Sequence, residues 1–156
     1  MHSSVYLARK SRLFSLLLIL ILGLSLVFAT SVAFASSTRS FSTTLTGAAE
    51  VPGPGDPDGS GVAKIRLNPG DGEVCFKITV SDIVLPATGA HIHVGTADVA
   101  GPVVVGLAPP DASGISEGCV SADPALIRAI GQNPEGYYVN VHNSDYPAGA
   151  VRGQLP

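Results

Sequence analysis

Beyond residue 36 the chain alternates apolar and polar residues with a period of two. Ser40 to Thr46, Gly61 to Leu67, Glu73 to Ser81, Ala90 to Val94, Pro102 to Leu107, Ile115 to Ala122, Tyr137 to His142 and Ala150 to Leu155 are short runs rich in Val, Ile, Thr and Tyr. Such runs predict eight strands. Turn chemistry separates them: Pro52 to Gly59, Asn68 to Gly72, Ala108 to Asp111 and Tyr146 to Gly149 are built from Pro, Gly, Asp and Asn. Asp71-Gly72 is suited to a hairpin joining the second and third runs. Because a strand precedes it, the stretch after Val51 reads as a long loop of the domain and not as a linker.

One segment has a helical period. Asp123 can cap, Pro124 suits the first helical position, and Leu126, Ile127 and Ile130 share a side before Gly131 and Asn133-Pro134 end it. Many short strands with one helix predict an all-β fold, an antiparallel Greek-key-like β-sandwich or flattened barrel of about eight strands.

The first 35 residues follow a different pattern. Arg9, Lys10 and Arg12 precede an apolar run from Leu13 to Phe28, and Ala33-Phe34-Ala35 has the small-x-small form of a cleavage site. Residues 1–35 are expected to be a signal peptide, with an uncleaved N-terminal anchor as the alternative, since Leu13 to Ala35 is long enough to span a bilayer. Either way residues 36–156 are exported as one domain, in the secreted or cell-envelope space, and membrane contact is confined to that segment. This part carries six basic and twelve acidic residues, a formal net charge of −6. Nucleic acid and anionic lipid surfaces, which need clustered cations, are disfavoured as partners.

Cys75 and Cys119 both lie in the exported part, where disulfides persist. They are expected to be bonded, stabilising the fold by about 4 kcal/mol in the loop-entropy account; two buried thiols are the alternative. Cys75 alternates with Lys77 and Thr79, whereas Val74, Phe76, Ile78 and Val80 form the apolar side, so the bridge is expected on a sheet face away from the core.

The exported part has three histidines, all on strand-like runs. His91 and His93 share a face about 6.6 to 7 Å apart, and Tyr138, Asn140 and His142 share another. If these strands are neighbours, His91, His93 and His142 form a three-nitrogen site suited to copper or zinc, with an open fourth position. Asn140, Asp145, Tyr138 and Arg152 are candidates for supporting it, with Asp98 and Tyr146 as further candidates for coordination. The competing reading is a structural polar network in which each imidazole bonds backbone carbonyls.

Five motifs in order carry a family resemblance: Thr46 to Pro52 (TGAAEVP), Ala90 to His93 with Gly101 to Val105, Gly118 to Val120, Tyr137 to His142 (YYVNVH), and Gly149 to Leu155 (GAVRGQL). In these the chain resembles the CHRD domain, named for chordin and common in bacterial secreted single-domain proteins. The resemblance implies an all-β extracellular domain without an established biochemical activity. Chordin's growth-factor-binding cysteine-rich modules have no counterpart here. A weaker similarity is to secreted copper/zinc superoxide dismutases, also β-sandwiches with a disulfide, an H-x-H and an arginine near the C-terminus, a part in which Arg152 could be cast. Those enzymes bind two metals with six histidines and an aspartate, so three histidines leave the second site without ligands.

No G-x-S-x-G elbow and no P-loop ending are present. Asp56 and Asp58, beside Gly and Pro, suit a solvated turn better than a carboxylate pair or a calcium loop. The sequence therefore leads to a non-enzymatic, exported binding or matrix-associated module for an extracellular protein or envelope component, with a small copper- or zinc-binding protein as the alternative.

Overall fold

The computed structural model describes residues 37–156; the leader expected at residues 1–35 lies outside them. Eight strands follow the alternating runs closely: β1 Arg39–Thr46, β2 Ser60–Asn68, β3 Glu73–Ser81, β4 Gly89–Val94, β5 Val103–Leu107, β6 Ile115–Ser121, β7 Tyr137–His142 and β8 Val151–Gln154. The strands form one antiparallel sheet in the order β5-β4-β7-β8-β1-β2-β3-β6. The sheet curls until its edges meet: Ser116 Oγ donates to Ala108 O at 2.7 Å and Asp111 N to Ile115 O at 3.2 Å. The result is the nearly closed barrel that so many short strands favour, because closure leaves little unpaired edge.

The period of two decides what lies inside. Ile65, Ile78, Ile92, Val139, Val141 and Val151 point into the barrel and are almost completely buried. Each such side chain contributes about 1.5–3 kcal/mol by leaving water. The β2–β3 hairpin turns through Asp71-Gly72, with Gly72 at φ 67°, a left-handed conformation that favours glycine.

The helix α1, Pro124–Gln132, is capped by Asp123, whose carboxylate accepts from Ala125 N at 2.7 Å. It runs through Gly131, where the sequence suggests a stop, and ends at Asn133. Gly131 is buried beside Leu67, its carbonyl accepts from the Arg39 guanidinium, and a Cβ there would stand 3.4 Å from Arg39 Cδ. The glycine therefore sits inside the helix without breaking it, at a place where a Cβ would make ordinary contact.

The Cys75–Cys119 disulfide joins directly opposed residues of β3 and β6. It lies on the outer face with Lys77 and Arg66, as the alternation along β3 indicates. The loop before β2 is tied down by its backbone: Gly55 N donates to Gly47 O at 3.2 Å and Asp56 N to Ala150 O at 2.9 Å. That anchoring buries Asp56 and leaves Asp58 exposed, so only Asp58 fits the solvated turn expected for the pair.

Candidate metal centre

The register between β4 and β7 sets the site. His93 faces Tyr138, His91 faces Asn140, and Gly89 faces His142. All lie on the strand faces opposite the core residues Ala90, Ile92, Val139 and Val141, so the three imidazoles gather outside the barrel wall. Ring centroids are 5.1 Å apart for His91 and His142, 5.6 Å for His91 and His93, and 6.4 Å for His93 and His142. Gly89 leaves room for them, since a Cβ there would be 3.1 Å from His91 Cε1 and 3.5 Å from His142 Cδ2.

Two loops cover this outer face and make a polar surface into an interior. In the segment between β4 and β5, the Gly101 carbonyl accepts from His93 Nδ1 at 2.8 Å, and Gly101 N donates to the Tyr138 hydroxyl at 3.1 Å. A Cβ at Gly101 would overlap the Val94 carbonyl, so the approach requires glycine. Between β7 and β8, the fully buried Asn143 accepts from Asp145 N at 3.2 Å and Tyr146 N at 2.8 Å. The turn so formed holds Pro147 O 3.1 Å from His142 Nδ1.

These contacts assign the lone pairs. A neutral imidazole has one N–H, so donation from His93 Nδ1 leaves Nε2 as an acceptor, and donation from His142 Nδ1 to Pro147 does the same for its Nε2. His93 Nε2 and His91 Nδ1 are both buried and have no hydrogen-bond partner. Leaving such an atom unsatisfied costs about 1–3 kcal/mol. His142 Nε2 lies 3.1 Å from Asn140 Oδ1, a second acceptor to which a neutral ring already bonded to Pro147 cannot donate. Burial lowers the pKa of His91 below 6.5, helped by the charges of His142 and His93; burial likewise lowers that of His142 against the pull of the Pro147 carbonyl, with His93 adding to the depression. Neutral imidazoles with free lone pairs are what a transition metal binds.

One nitrogen of each histidine lies within 4.8 Å of the other two. An ion at about 2.0–2.1 Å from each needs nitrogens roughly 3.3 Å apart in tetrahedral geometry. Closing that difference requires the rings to turn; His91 and His142 are half-buried, whereas His93 is more deeply held at 8% exposure.

The supporting residues named from the sequence divide into two groups. Asn140 touches His142, and Tyr138 stacks on His93 with centroids 4.8 Å apart and planes 11° from parallel. Arg152 supports the site indirectly, its guanidinium carbon 3.4 Å from the centroid of the Tyr138 ring and its N–H groups donating to Val99 O at 3.1 Å and Thr96 O at 2.8 Å. Asp145 and Asp98 bond their own loop neighbours, Ser144 and Thr96, and Tyr146 serves through its backbone. Sequence reasoning gives Gly101 and Asn143 no part in the site. The Asn143-Ser144-Asp145 run carries the signal of a side-chain-closed turn, but nothing in it announces that the turn holds a histidine.

Residues 41–155 match the family model of the CHRD domain. The chain belongs to the CHRD domain family. No curated protein and no solved structure matches the chain. In this CHRD domain four of the five ordered motifs come together: the first carries Glu50, which touches Gly149 of the last, the second His91 and His93, the fourth Tyr138, Asn140 and His142, and the last Arg152, whereas the third lies on β6 beside β3. Family membership and the disulfide are consistent with an extracellular protein.

Proposed function

We propose that this CHRD domain binds one copper or zinc ion between His91 Nδ1, His93 Nε2 and His142 Nε2. The observation that carries the reading is the pair of buried, unpartnered nitrogens on His91 and His93, within reach of a third imidazole. A structural network, the competing account of these histidines, would pair each ring's N–H with an acceptor and its other nitrogen with a donor, whereas His91 Nδ1 and His93 Nε2 have no partner. Gly101 O and Pro147 O instead bond the far nitrogens of His93 and His142, the arrangement that orients ligating imidazoles in metal sites. Copper binds such a donor set more tightly than zinc.

A bound ion would supply Lewis acidity or, as copper, one-electron exchange at its open position. The protein's own part is to hold three imidazoles neutral, fix their orientation and keep the site under two loops. The domain is non-enzymatic in this reading. Arg152 is only 1% exposed and committed to two carbonyls, so it cannot guide an anion to the site. Among the described residues the other group of ligand-type side chains is Glu73 with the bonded Cys75 and Cys119, which supplies no second histidine site. The wider role, an exported module acting outside the cytoplasmic membrane on an extracellular protein or envelope component, is proposed from the family, the disulfide and the expected leader.

The test is elemental analysis of the exported protein, purified without chelators or affinity-tag metals, beside a variant with His91, His93 and His142 all replaced by alanine. Near-stoichiometric copper or zinc is expected in the native protein and none in the variant. The melting temperature of metal-depleted native protein should rise on adding copper or zinc, while the variant stays unchanged. Equal metal content in the two proteins, together with a melting temperature indifferent to both ions, would end the proposal.

A further inference from the structure

The disulfide sits in a row of residues that crosses three strands. Arg66 of β2 pairs with Cys75 of β3, and Cys75 pairs with Cys119 of β6, the last strand of the sheet. The two sulfurs have unlike surroundings. Cys75 is 7% exposed, with Arg66 Nη2 at 3.4 Å and Asn68 Nδ2 at 4.0 Å from its Sγ. Cys119 is exposed, and among the described residues no hydrogen-bond donor reaches its sulfur.

Thiol–disulfide exchange is an in-line displacement whose rate depends on access to the attacked sulfur and on how well the departing sulfur carries negative charge. Both conditions favour the same direction here. A nucleophile arriving on the outer face from the side of β6 away from β3 meets Cys119 Sγ, with Cys75 and then Arg66 next in the cross-strand row. A nearby cation lowers the pKa of a thiol and so improves it as a leaving group. The groove of about 450 Å³ on this face is lined by Lys64, Arg66 and Lys77 as well as Cys75, so the departing sulfur enters a cationic surface. Lys77 is engaged by Glu117 at 2.9 Å, which leaves Arg66 as the cation in contact with sulfur. The Glu73 carboxylate lies within 4.8 Å of both sulfurs and opposes a thiolate at either, so it does not set the direction.

We infer that Cys75–Cys119 is a thiol-exchange site with a fixed polarity, attacked at Cys119 and releasing Cys75. The partner is an exported dithiol oxidoreductase or a small thiol. Its thiolate forms a bond to Cys119 Sγ as the Cys75–Cys119 bond breaks, and the electron pair leaves on Cys75 as a thiolate beside Arg66. A second thiolate, the dithiol partner's other cysteine or a second molecule of the small thiol, then displaces Cys119 and leaves as the oxidised partner disulfide. Two electrons pass to the domain, and the two cysteine sulfurs take up two protons.

The experiment is a short pulse of glutathione on the native, folded protein, followed by acid quenching, alkylation of the freed thiol and mass-spectrometric mapping. Glutathione is expected on Cys119 and the alkyl group on Cys75, by about tenfold or more over the reverse. Arg66→Gln should slow the exchange about threefold to tenfold and reduce the bias, whereas Lys64→Gln, which removes a neighbouring cation that does not touch the sulfur, should change neither. In denaturant the bias should disappear. An even or reversed distribution in the folded protein, equal effects of the two substitutions, or a bridge that resists the thiol until the protein unfolds would each overturn the inference.

Discussion

Replacing Arg152 with methionine is expected to lower the unfolding free energy by about 3–5 kcal/mol, a large share of the stability of a domain this size. Methionine keeps much of the apolar stem and removes the charge and the donors. Val99 O and Thr96 O, in a loop of largely exposed residues, then lose their partner, together at a cost of about 1–3 kcal/mol. The guanidinium also leaves the Tyr138 ring, a contact worth about 2 kcal/mol when desolvated. Lysine should rescue little, because one ammonium cannot hold both carbonyls and lie flat on a ring. Urea unfolding followed by circular dichroism measures the loss, and hydrogen exchange should quicken in the loop from Gly95 to Pro102. A change below about 1 kcal/mol would show that the loop is held by other contacts.

The buried place of Arg152 also shows where sequence reasoning reaches its limit. Strand positions were legible because the alternation of apolar side chains records which face meets the core, and all eight runs became strands. The same alternation put His91 with His93, and Tyr138 with Asn140 and His142. It could not pair the two strands, since β4 and β7 are far apart in sequence and antiparallel partners leave no local mark. Nor could it show that the polar face of β4, β7 and β8 is roofed by loops. Asn140 and Arg152 entered as supports of the histidines, and Glu50 and Asn143 drew no structural reading, yet all four are buried. Asp98 and Asp145 looked like ligands by chemistry alone, and each is used instead by a turn of its own loop. What the sequence concealed is therefore the second layer of cover over the outer face, built from Gly, Pro and Asn turns whose partners are remote.

Glu50 gives the second large effect, and its sign follows from burial. Its side chain fills the space where a Cβ on Gly149 would stand, and Gly149 adopts φ 148°, so the loop after β7 and the carboxylate share one tight contact. Oε1 is buried without a hydrogen-bond partner. Desolvation raises the pKa from 4.5 to about 7, although the Arg152 charge and the Val51 N–H act to lower it. The folded state therefore binds more protons than the unfolded state between those values. The associated stability is present below about pH 4.5 and is lost as pH rises through about 7, a change of about 3 kcal/mol at most. His91 and His142 act in the opposite direction, because their folded pKa values lie below 6.5 and they penalise folding as pH falls under that value. The native pH profile is thus a compromise, and the difference between native protein and Glu50→Gln isolates the carboxylate. The variant should match the native protein near pH 4 and exceed it by about 3 kcal/mol at pH 8, as read from urea unfolding. Adding Arg152→Met to both proteins should widen the difference that Glu50→Gln makes, because removing the cation takes away the main charge that offsets an ionised carboxylate there. Parallel profiles across that pH range would instead place Glu50 in contact with water. Coupling of the expected sign in the double variant would show that the two buried charges of the first and last CHRD motifs interact through the interior although they form no direct ion pair.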